Sequence, residues 1–151
     1  MAPAVKRRTA LLLMMLAVSS VFAAWQWFRP YQWSADPAAR FEIVHASLLR
    51  DHSFYWLDLH LKHLGDAGHD LAKPVRLLLG DGREIEPAET TFEGDATQAT
   101  RSLGLRFWLE ERDFAGPLHL KLNDGLLEVR KRSGPPAKAG AAAAHFTTSD
   151  W

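Results

Sequence analysis

The chain has 151 residues, 18 Lys plus Arg against 18 Asp plus Glu, no cysteine, and 47% hydrophobic residues that include 6 Trp. Balanced charge excludes the strongly basic type of nucleic-acid binder, and the apolar content excludes a wholly disordered chain. Without cysteine there is no disulfide framework, thiol nucleophile, thiolate zinc site or lipidated N-terminal cysteine.

Lys6, Arg7 and Arg8 precede an apolar run over residues 10–24, interrupted only by Ser19 and Ser20 and followed by Trp25, Gln26, Trp27 and Phe28. As a helix, residues 10–28 span about 28 Å, close to the hydrocarbon thickness of a bilayer. Basic residues ahead of such a run stay in the cytoplasm, and amphipathic aromatics such as Trp25, Trp27 and Tyr31 settle at the opposite interface. The segment is expected to be a single-pass membrane anchor, with residues 1–9 cytoplasmic. A cleaved signal peptide fits the same residues, with Val21, Phe22 and Ala23 as a tolerable cleavage site. Both readings export the rest of the chain.

Residues 29–40, with Pro30, Ser34, Asp36 and Pro37, show no period and read as a spacer. From Phe41 the period becomes two. Residues 41–49 read as an opening strand. In residues 54–64, Tyr55, Leu57, Leu59 and Leu61 share one parity and Asp58, His60 and Lys62 the other, as a strand with one buried face requires. Residues 74–87 read as a hairpin turning at Asp81 and Gly82. Leu103, Leu105, Phe107 and Leu109 alternate, as do Leu118, Leu120 and Leu122, and these two strands are expected to pair with each other. Asn123, Asp124 and Gly125 mark another hairpin before Leu127 and Val129. About seven strands over residues 41–132 predict an all-β, antiparallel immunoglobulin-like sandwich behind the N-terminal transmembrane helix. Its core is expected to contain Leu57, Leu59, Leu61, Leu105, Phe107, Leu120 and Leu122.

Residues 133–144 turn to Gly, Pro and Ala and read as a flexible linker. Residues 145–151 form an aromatic tail in which Phe146 and Trp151 are candidate binding residues, expected to dock on a partner or on the domain's own Trp face. That face is marked by Trp56 and Trp108, which lie on the parity opposite their strands' leucines. Large exposed aromatics give contact area with few rotamers to freeze, so Trp56 and Trp108 are the other binding candidates.

Metal and catalytic motifs are weak. His60 and His63 are three apart, which on a strand places them on opposite faces, and His119 needs a histidine on a neighbouring strand. The acidic interval of Asp81, Glu84, Glu86, Glu89, Glu93 and Asp95 lacks the spacing of an EF-hand. Glu110, Glu111 and Asp113 are carboxylates without a partner motif, and no GxSxG, Walker-type loop or HExxH occurs. The expectation is no enzyme, no cofactor, no metal and no nucleic-acid partner.

The run FYWLDLHLK over residues 54–62, the polar loop after it, VRLLLGDGREIEP over residues 75–87 and the later strand over residues 103–109 resemble the immunoglobulin-like accessory modules of bacterial envelope proteins. Such modules are often attached through a lipidated cysteine, which this chain lacks, and they share no catalytic set, so no functional residue transfers. The resemblance implies an exported, non-enzymatic sandwich. The function expected is a membrane-anchored protein-binding or assembly module of the cell envelope, with an envelope protein as partner. The alternative is a secreted module that binds a glycan or small ligand after signal cleavage.

Overall fold

The computed structural model describes residues 3–94, 101–136 and 142–151. It is mostly β, with two antiparallel sheets and one N-terminal apolar helix. That helix, α1 (Pro3–Phe28), has no acidic residue in its first turn, and its stretch Lys6–Phe28 is long and apolar enough to cross a membrane. A signal sequence passes the same test of length and composition.

The strands are β1 (Phe41–Asp51), β2 (Phe54–His63), β3 (Arg76–Leu78), β4 (Glu84–Ile85), β5 (Glu89–Glu93), β6 (Ser102–Glu110), β7 (Leu118–Leu122), β8 (Gly125–Arg130) and β9 (Ala144–Phe146). One sheet has the order β5-β6-β2-β1-β9 and the other β4-β3-β7-β8. Their apolar faces contribute to a single buried cluster, which holds Leu57, Leu59, Leu61, Leu105, Phe107, Leu120 and Leu122 as the alternation requires. The pairing expected between residues 103–109 and 118–122 does not occur. β6 lies between β2 and β5, β7 lies between β3 and β8, and the turn at Glu111–Ala115 carries the chain from one sheet to the other.

Turn chemistry explains both expected hairpins, in different ways. At the β3–β4 turn Gly82 takes φ 87°, a conformation that costs an L-residue its Cβ clearance. At the β7–β8 turn Asn123, not glycine, takes the positive φ of 53°. Gly125 serves a different need there, because a Cβ on it would lie 2.2 Å from the Ala39 nitrogen.

Among the described residues two strands exceed the expected seven. β5 is exposed along its whole length and so has no apolar alternation, and β9 lies across the junction of the linker and the tail. The expected spacer is also packed on the sheets. Tyr31 is 4% exposed and belongs to the core, not to a membrane interface belt, and Ala39 is fully buried. Residues 31–38 run beside β8 and seal its edge. The Glu128 N–H donates to Gln32 Oε1 at 2.8 Å, Leu126 N–H to Asp36 Oδ2 at 3.0 Å, and Asp124 N–H to the Ala38 carbonyl at 3.4 Å. An open sheet edge is an aggregation template, and here two side-chain acceptors and one backbone carbonyl occupy it. Residues 137–141 of the expected linker, and Asp95 of the acidic interval, lie outside the described residues.

Candidate functional site: the outward face of the larger sheet

Antiparallel register aligns residues from neighbouring strands in rows across the outward face of the β5-β6-β2-β1-β9 sheet. One row is Asp51 opposite Phe54, and the next is Leu49, Trp56 and Trp108. Beyond these lie His145, Ser47, Asp58, Arg106 and Glu89 in one row, and His45, His60, Gly104 and Thr91 in another. The face therefore passes from aromatic to ionic to histidine-bearing along the strand direction.

The register brings Trp56 and Trp108 together. Their ring centres are 6.4 Å apart, and Phe54 lies 4.4 Å from Trp108. Trp108 remains 50% exposed, whereas Trp56 and Phe54 are half-buried. The neighbouring row is anchored by Arg106, whose Nε donates to Asp58 Oδ1 at 2.6 Å and whose Nη1 lies 3.4 Å from Glu89. The same guanidinium is 5.9 Å from the centre of the Trp56 ring, within reach of a cation–π contact. A charged, pre-ordered row thus borders the aromatic one.

The histidine cluster of His45, His60 and His145 was not legible in spacing, because its members come from three strands and two rows. A bulge between Ile43 and His45 shifts the β1 register so that His45 faces His60, with stacked rings 4.3 Å apart, and His145 on β9 lies 6.2 Å from His45. Loss of hydration, then the nearby His60 and His145, hold the His45 imidazole below its ordinary pKa. Among the described residues no group of three or more His, Asp or Glu is placed to hold a metal ion. His63 stands opposite Phe41, away from His60, and His119 stands opposite Leu78 and Glu128. Asp113 is a structural carboxylate: one oxygen accepts the Glu110 N–H at 2.8 Å and the other the Arg83 guanidinium at 2.6 Å.

Phe146 and Trp151 are placed together but apart from the Trp face. Their rings stack at 4.7 Å beside Phe114, and Arg130 sits 5.0 Å above Trp151 and 5.4 Å above Phe114. The tail thus packs on its own domain, and the expected target on Trp56 and Trp108 is replaced by Tyr31, Phe114 and Arg130. β9 pairs with β1 at Ala46, Ser47 and Leu48, Lys131 N–H donates to the Ser149 carbonyl at 2.8 Å, and Trp151 Nε1–H donates to the Tyr31 hydroxyl at 2.8 Å. Tyr31 and Arg130, the residues that receive the tail, carried no motif; only the two terminal aromatics hinted that something must.

Comparison with protein-family models, characterised proteins and solved structures finds no match to this chain.

Proposed function

We propose that the chain is a membrane-anchored, exported β-sandwich of immunoglobulin-like type that acts as a protein-binding or assembly module of the cell envelope. Strand order supports the fold type. β1-β2-β6-β5 follows the A-B-E-D order of that fold and β4-β3-β7-β8 follows C′-C-F-G, with β9 added outside the first sheet. The anchor reading rests on the length and apolarity of α1 and on the three cations at its start.

The observation that carries the binding role is the half-exposed Trp108, aligned with Trp56 and Leu49 on an outward sheet face and bordered by the Arg106–Asp58 pair. Aromatic anchors beside arginine are the groups that concentrate binding energy in protein interfaces. A photocrosslinking residue placed at position 108 of the full chain should give a discrete protein adduct in the cell envelope, and Trp56→Ala should abolish it. The same residue at position 121, on the other sheet, should give none. Equal adducts at both positions, or labelling of polysaccharide instead of protein at 108, would overturn the reading.

A further inference from the structure

The apolar helix and the sheets are joined by very little chain. α1 ends at Phe28, and the buried Tyr31 follows three positions later; three residues reach only about 10 Å even when extended. Tyr31 is held from two distant parts of the sequence. Its hydroxyl donates to the Val129 carbonyl at 2.6 Å and accepts from Trp151 at 2.8 Å, and its carbonyl accepts the Ser149 N–H at 3.1 Å. Arg29 pairs with Asp150 at 3.4 Å. The C-terminal tail therefore clamps the segment that leaves the helix.

Next to this clamp lies an aromatic and apolar patch. Trp33, two residues after Tyr31, is 65% exposed, and its ring centre lies 6.2 Å from that of Trp25, within the apolar stretch Lys6–Phe28. Trp27 and Phe28 are exposed beside it. Val44 is exposed at the β1 bulge and lines the same hollow as Trp27, Gln32 and Thr147. The opposite side of the domain has different chemistry. β4 and β5 are the strands farthest from β8 and β9 in their sheets, and they and their flanks expose Glu84, Glu86, Glu89 and Glu93.

We propose that the seam bearing Trp33 and Val44 rests in the interfacial layer of the bilayer that α1 crosses, so that the domain lies on the lipid surface and does not stand off on a tether. Indole rings favour that layer because they are apolar with one polar edge. The far edge carries the ion pairs Glu84–Lys121, Glu86–Arg76 and Glu89–Arg106, whose hydration favours water over the bilayer and keeps this side turned away. The proposal rests on the reading of α1 as a retained span.

The absence of cysteine allows a direct test on the full chain. Trp33→Cys, Val44→Cys and Thr90→Cys each replace an exposed residue, the last on the acidic edge strand β5. Each variant is spin-labelled and reconstituted in vesicles of phosphatidylcholine and phosphatidylglycerol. Collision with oxygen, which partitions into lipid, is compared with collision with a water-soluble nickel chelate. The oxygen-to-chelate ratio should be several-fold higher at positions 33 and 44 than at 90. Equal ratios at the three positions, in protein that floats with the vesicles, would overturn the proposal while leaving the anchor intact. Protein recovered from cells without residues 1–23, or failing to float, would overturn the anchor reading and the proposal with it.

Discussion

Replacing Tyr31 with Phe removes one hydroxyl and leaves the ring's packing in place, so it isolates the bonds that join the segment after α1 to β8 and to the C-terminus. The hydroxyl makes two hydrogen bonds, to the Val129 carbonyl and from the Trp151 indole. Net contributions of about 0.5 to 1.5 kcal/mol each give a loss of about 1 to 3 kcal/mol. A value near 2 kcal/mol is expected, because Trp151 is only half-buried and its N–H can turn to water, whereas Val129 is fully buried. Urea unfolding of the full chain in mild detergent, followed by far-ultraviolet circular dichroism, measures the loss through the midpoint at constant slope. The Trp151→Phe variant and the double variant complete a cycle whose coupling should reach about 0.5 to 1.5 kcal/mol. Burial raises the Tyr31 pKa in the native state, and the Trp151 hydrogen bond opposes that only in part. Above about pH 10 the unfolded phenol loses its proton while the native one keeps it. The stabilisation linked to Tyr31 is therefore complete below that pH and falls as pH rises, so the gap between wild type and Tyr31→Phe should narrow in alkali. A loss under about 0.5 kcal/mol, within the range of ordinary surface substitutions, together with additive single variants, would refute the clamp.

Leu59→Ala opens a fully buried site between two strands and should cost about 2 to 5 kcal/mol in the same urea assay. Gly125→Ala places a methyl 2.2 Å from the Ala39 nitrogen and should cost about 1 to 3 kcal/mol as the 3₁₀ turn at Pro37–Ala39 is pushed off β8. Gly104→Ala is its control: the new Cβ meets Thr91 at an ordinary 3.5 Å, and thermal unfolding should move little. The His45 pKa is depressed in the native state, so its stabilisation is present above about pH 6.5 and is lost as pH falls through the native value. His45→Gln should flatten that limb as pH falls below about 6.5; an unchanged slope would mean that His45 contributes nothing to acid sensitivity.

The strands visible in the sequence are those with one buried and one wet face. β2 and β6 alternate over their whole lengths, and their leucines and Phe107 are all buried. Alternation cannot say which strand pairs with which, because partner choice depends on how the two sheets share the core. Consecutive strands β6 and β7 therefore look like a hairpin in sequence and belong to different sheets. β5 was unreadable for the opposite reason: an edge strand with every residue exposed has no apolar pattern to display.

The candidate face was half legible on the same grounds. Trp56 and Trp108 stood out as aromatics on a polar parity, and register then made them neighbours. His45, His60 and His145 had no such mark, since their proximity needs a bulge in β1 and a strand arriving from the C-terminus. The tail is informative here. Phe146 and Trp151 were anomalous as free aromatics, and the anomaly disappears once they are seen to cover Phe114, Arg130 and Tyr31. Trp108 receives no such relief. Its ring touches Phe54 and Trp56 and is still half exposed, so among the four aromatics singled out by the sequence it is the one whose apolar surface remains most open to a partner. The tail and the Trp face thus divide what the sequence presented as one problem: Phe146 and Trp151 pack against the domain and the segment that follows α1, and Trp56 and Trp108 remain the aromatics on which the proposed recognition of a partner rests.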